Sequence, residues 1–111
     1  MIEQRLNPRY RTMGHARITG EISGELLLKD ISITGCCLEC TTICDIIQDK
    51  KYKIVILPEI AANIETFEIE AECRWIRSAD YVTELGFLVV ASPRGKGFQR
   101  YVDYLEYHSG K

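Results

Sequence analysis

From Glu65 to Arg77 the chain alternates residue by residue. Phe67, Ile69, Ala71, Cys73 and Trp75 fall on one face, and Glu68, Glu70, Glu72, Arg74 and Ile76 on the other. A period of two is the signature of a half-buried antiparallel strand, and parity places Trp75 in the core. Five shorter apolar stretches read as further strands: "HARITGEI", "GELLLKDI", "GCCLECTT", "YKIVILPE" and "VTELGFLVVA". Ser23 and Gly24 make a tight turn between the first two, Pro58 and Glu59 end the fourth, and "SADY" joins the alternating Glu65–Arg77 strand to "VTELGFLVVA" as a hairpin. Six short strands this closely spaced point to a small barrel or sandwich, and with one packed C-terminal helix the reading is an antiparallel barrel.

The period changes near the end of the chain. Phe98, Tyr101, Val102 and Leu105 recur at helical spacing, so a C-terminal helix packs its stripe on the barrel. Ser92 and Pro93 suit its start, the firm part begins near Phe98, and Gly110 suits its stop. The opening residues are polar, with Pro8 and Gly14 discouraging regular structure. The expected organisation is therefore a flexible arm over residues 1–14 and a single barrel domain over 15–111.

Length and composition agree with this picture and narrow it. A chain of 111 residues, 46% hydrophobic and 27% charged, is one globular domain with its own core. Its formal net charge of −2 does not suit a nucleic-acid binder, and no stretch is long and apolar enough to insert in a membrane. The start has no apolar signal region, so the protein is expected in the cytoplasm. Charge is concentrated at the start, where Arg5, Arg9, Arg11 and Arg17 face Glu3 alone. Such an arm on a mildly acidic body fits a small anionic ligand.

Candidate chemistry lies in "KDISITG", Lys29 to Gly35. On a strand, Asp30 and Ser32 share the outer face while Ile31 and Ile33 point inward. They offer a carboxylate acceptor and a hydroxyl, and Gly35 leaves room for a ligand or a bulge. The same residue types also make ordinary turns. Arg5 and Arg9 are planar forks suited to phosphate oxygens and to the O6/N7 edge of guanine, although either can also be a solvated tail residue. Arg11 and Tyr10 read as a surface charge and a strand-entry residue. Cys36, Cys37, Cys40, Cys44 and Cys73 include a CxxC, but an odd count and strand parity favour reduced, packed thiols over a metal or redox centre. Trp75 is left out of any stacking role. Phosphate loops, nucleophile elbows and metal-binding His pairs are missing from the sequence, so neither an enzyme nor a resident cofactor or metal is expected.

"RLNPR" and "DISITG" match, in order and at about the expected gap, the RxxxR and (D/N)xSxxG motifs of the PilZ domain family, which this chain resembles over nearly its whole length. "CRWIR" and "ELGFLVV" are similar to the family's tryptophan-bearing and glycine-bearing strands. Two positions depart from the pattern: Gln4 stands where a second arginine is common, and Val89 where phenylalanine is frequent. The resemblance implies a six-stranded split barrel that receives the second messenger cyclic di-GMP. It assigns Arg5 and Arg9 to phosphates and guanine edges, Asp30 and Ser32 to groups held from the barrel surface, and Gly35 to clearance. It implies a ligand-closed arm whose new surface is read by an unidentified effector protein in motility or biofilm control, in a monomer or homodimer. The alternative is an adaptor of the same fold that binds no nucleotide and works by protein–protein contact.

Overall fold

A computed structural model describes residues 8–20, 24–41, 45–91 and 96–109. Among them run β1 (Tyr10–Arg11), β2 (His15–Ile18), β3 (Leu26–Ile31), β4 (Gly35–Cys40), β5 (Lys51–Leu57), β6 (Phe67–Ala79), β7 (Val82–Ala91) and α1 (Gly97–Ser109). A 3₁₀ turn, Ile60–Ala62, lies between β5 and β6. Strands β3, β2, β5, β6, β7 and β4 pair in that order, all antiparallel, and β4 pairs back onto β3. The expected six strands thus close into a barrel. No helix among the described residues is long and apolar enough to cross a membrane.

Each strand pair follows from its alternation. On β5, Tyr52, Ile54 and Ile56 turn inward and meet Ile69 and Ala71 of β6 across the barrel wall. Leu28, Ile31, Leu38, Leu85 and Phe87 fill the space between the remaining walls. Burying each such side chain contributes roughly 1.5–3 kcal/mol. Helix α1 closes one end with Tyr101 and Leu105, and the Tyr101 hydroxyl donates to Glu59 at 2.5 Å. The helix thus carries the expected stripe; Ser92, Pro93, Gly95 and Gly110 lie outside the described residues.

The start of the chain is more ordered than its composition suggests. Within the expected arm, β1 pairs with the end of β3, Tyr10 opposite Ile31 and Arg11 opposite Asp30. Backbone bonds from Thr12 N to Lys29 O (3.2 Å) and from Leu28 N to Gly14 O (3.1 Å) bridge the gap to β2. Residues 10–18 therefore follow β3 as one interrupted strand, so Arg9 enters the barrel in a fixed register.

Two of the three register shifts among the described strands decide which side chains leave the core near Asp30. One falls between Leu28 and Asp30 in the β3–β4 pairing, the other between Cys73 and Trp75 in the β6–β7 pairing. An extra residue on one strand reverses the inward–outward alternation beyond it. Cys73 faces inward and is fully buried, but Trp75 emerges on the outer face, 36% exposed. The expectation that Trp75 is a core residue is corrected by that bulge. Beyond it, β6 and β7 continue as an exposed ribbon to a turn at Asp80 and Tyr81, both at positive φ (53° and 71°), the geometry of a two-residue hairpin.

Parity also fails at "DISITG". Asp30 is the last outward residue of β3, and the strand ends at Ile31. Ser32 is 1% exposed rather than on the outer face, and Ile33 is exposed rather than in the core. The chain turns here: Ser32 N donates to Gly35 O at 2.8 Å, so continuing strand parity past Ile31 misplaces both residues.

Candidate functional site

Arg9 and Asp30, twenty-one residues apart, meet in one contact: Arg9 Nη1 donates to Asp30 Oδ1 at 2.9 Å. The β1–β3 register causes this, because Arg11 lies opposite Asp30 and Arg9 is two residues upstream on the same side. Both side chains keep partial exposure, 32% and 23%, so a ligand can reach either. Arg5, the other expected fork, lies outside the described residues.

Ser32 and Gly35 serve this contact from below. Ser32 Oγ accepts from the backbone N–H of Thr34 (3.1 Å) and of Gly35 (3.2 Å), and it lies 3.1 Å from Thr34 Oγ1. The hydroxyl therefore holds the turn that follows Asp30. Gly35 is required by close approach: a Cβ there sits 2.3 Å from the Phe87 carbonyl oxygen of β7. In this conformation both residues set the backbone beneath Asp30 rather than present groups to a ligand.

A shallow pocket of about 250 Å³ opens beside the Arg9–Asp30 contact. Lys29, Cys37, Trp75, Arg77 and Glu84 line it together with that pair. The indole lies flat on Gly86, where an added Cβ falls 2.1 Å from Trp75 Cε2. Arg77 stands over the indole, its guanidinium carbon 5.0 Å from the ring centre. The site thus combines guanidinium forks, a carboxylate acceptor and an aromatic face, the groups that bind phosphate, a base edge and a base plane. A larger depression, about 700 Å³ between the 3₁₀ turn and the start of α1, holds none of the motif residues.

The electrostatics are those of a paired network. Glu84 accepts from Lys29 at 2.5 Å and from Arg77 at 2.7 Å. These bonds hold its carboxyl below the usual range and raise both cations. Burial, helped by the charges of Asp30 and Glu84, pushes the Cys37 thiol up to about 11. Cys36 is pushed up to about 12 by burial. Cys36, Cys40 and Cys73 belong to the core cluster, while Cys44 lies outside the described residues. Among the described residues no group of three or more His, Cys, Asp or Glu side chains could hold a metal ion.

Sequence reasoning missed Lys29, Trp75, Arg77 and Glu84. A signal for three of them was present in the hairpin. Counting outward from a two-residue turn at Asp80–Tyr81 pairs Ala79 with Val82, Arg77 with Glu84 and Trp75 with Gly86. Lys29 gave none, because its position depends on the bulge.

No family profile matches the sequence, and no curated protein matches it either. Solved structures do. The Bacillus subtilis inhibitor of motility MotI/DgrA superposes with a TM-score of 0.80 at 19% identity, over 97% of this chain and 52% of that one. The K. pneumonia MrkH–c-di-GMP complex gives 0.73 at 18% identity, over 99% and 57%. This chain therefore spans little more than half the length of either. The PilZ domain of Escherichia coli YcgR, with c-di-GMP, gives 0.71 at 14% identity, over 96% of this chain and 95% of that domain. The chain has the fold of the PilZ domain.

Proposed function

We propose that this protein is a receptor for cyclic di-GMP rather than an enzyme. The observation that carries the reading is the Arg9–Asp30 contact, which brings the arm motif and the strand motif into one pocket on this fold. The binding of c-di-GMP by two proteins of the same fold supports it. Cyclic di-GMP carries two phosphates and two guanines. Arg9, with Arg5 from the arm, grips phosphate oxygens or a guanine O6/N7 edge in bidentate fashion. Asp30, released from Arg9 or shared with it, accepts from the donor edge of guanine. Ser32 and Gly35 hold the turn that presents Asp30, and Trp75 offers a stacking face. The part of the arm ahead of β1 closes on the ligand, and the reshaped surface passes the signal to a partner protein in the cytoplasm.

Calorimetric titration with cyclic di-GMP tests this directly. The wild-type protein is expected to bind, and Arg9→Ala to weaken binding about ten- to hundredfold, the loss of roughly 1–3 kcal/mol for one bidentate contact. Asp30→Ala is expected to weaken binding and to reduce discrimination against cyclic di-AMP. A wild-type protein that gives no heat at high ligand concentration, or an Arg9→Ala variant that binds as well as wild type, removes the assignment.

A further inference from the structure

Glu84 lies in the proposed ligand pocket with both carboxylate oxygens turned to cations, and the receptor reading gives it no task. Its environment has a structural part and a remainder. Glu84 of β7 is directly opposite Glu39 of β4, and like charges in that position repel. The β3 bulge sets Lys29 between them, 2.5 Å from Glu84 and 3.8 Å from Glu39, which relieves the repulsion. Arg77 is not needed for that relief. It approaches Glu84 from β6 at 2.7 Å, and its side chain is 68% exposed while that of Glu84 is 16% exposed. The carboxylate is the fixed, half-sheltered member of this pair, and the arginine is the member that can reach outward.

The charges around the pocket are three cations, Arg9, Lys29 and Arg77, and two carboxylates, Asp30 and Glu84. A single excess positive charge faces a ligand with two phosphate charges. Glu84 is the group that makes the difference, since it occupies the hydrogen-bonding edge of Arg77 and part of Lys29. We propose that Glu84 is a resident counter-ion that limits the affinity of the site by competing with a ligand phosphate for Arg77. The inference rests on the receptor reading, and it makes Glu84 and Arg77 affinity-setting residues. In the free protein the carboxylate parks Arg77 over Trp75. On binding, phosphate must win the guanidinium away from it.

The test is titration of wild type, Glu84→Gln and the double variant Glu84→Gln/Arg77→Gln with cyclic di-GMP, at low and at high salt. Glutamine keeps the shape of glutamate, removes the charge and exchanges one acceptor oxygen for a donor NH2; circular dichroism establishes that each variant is folded. Glu84→Gln is expected to bind about five- to tenfold tighter at low salt, with the gain shrinking as salt screens the freed cation. The double variant is expected to lose the gain. If wild type binds while Glu84→Gln binds equally or more weakly, or if the gain survives loss of Arg77, the counter-ion role is overturned and the receptor reading stands. Absence of binding in every variant overturns both.

Discussion

Gly86 has no side chain because the Trp75 indole already fills the space where one belongs. Replacement by alanine forces the indole off its platform, since a Cβ cannot sit 2.1 Å from an aromatic carbon. Gly86→Ala is expected to destabilise the fold by about 1–3 kcal/mol, the usual range for overpacking. Trp75 is the single tryptophan, so its emission reports on this site alone. A red-shifted emission maximum together with an earlier urea midpoint is the expected result; an unchanged spectrum counts against the platform. Individual residues are also where sequence reading was least secure. Arg9 and Asp30 could be named from their chemistry and spacing. Ser32 could be named too, but its burial could not, because a hydroxyl that bonds two backbone N–H groups looks the same in sequence as one that faces solvent.

Strands and helix were legible wherever side-chain period alone decides structure. β5 and the first half of β6 alternate without interruption, and the α1 stripe of Tyr101, Val102 and Leu105 falls where helical spacing puts it. Bulges were not legible. Nothing in the composition of "KD" or "RW" marks an extra residue, yet those two insertions turn Lys29, Trp75 and Arg77 toward the pocket. How α1 docks gives a prediction at this scale. The Tyr101 side chain is buried, and its hydroxyl donates to Glu59. Burial first, and that bond second, raise the pKa of this phenol above its ordinary value. An unfolded chain releases the proton near pH 10, whereas the folded chain holds it longer. The stabilising effect is therefore fully present below about pH 10 and is lost as pH rises further. Tyr101→Phe is expected to cost about 1 kcal/mol at neutral pH, the net worth of one hydrogen bond, and to flatten the alkaline fall in stability. Urea unfolding at pH 7, 9 and about 11 distinguishes this from a hydroxyl with no role, for which the two proteins' curves stay parallel.

For the whole molecule, the barrel matters because it makes Arg9 common to two surfaces. On one side Arg9 borders the pocket with Asp30 and Trp75. On the other it borders a groove of about 540 Å³ with Tyr104, Leu105 and His108 of α1. β1 joins the two, since it pairs with β3 and also packs against the helix. A ligand that draws on Arg9 therefore acts on a segment tied to both the barrel wall and its C-terminal cap, so binding is expected to stabilise the whole cooperative unit. Ligand held at a hundred times its dissociation constant adds about 2.7 kcal/mol by mass action. In a domain of this size that corresponds to a rise in melting temperature on the order of ten degrees. A thermal scan of wild type with saturating cyclic di-GMP is expected to show this rise, growing with ligand concentration. Arg9→Ala at the same concentration, weakened about ten- to hundredfold, is expected to show about half of this rise or less. A scan unmoved by ligand in wild type, or moved equally in Arg9→Ala, separates the ligand from the segment that links pocket and helix and removes Arg9 from the path between them.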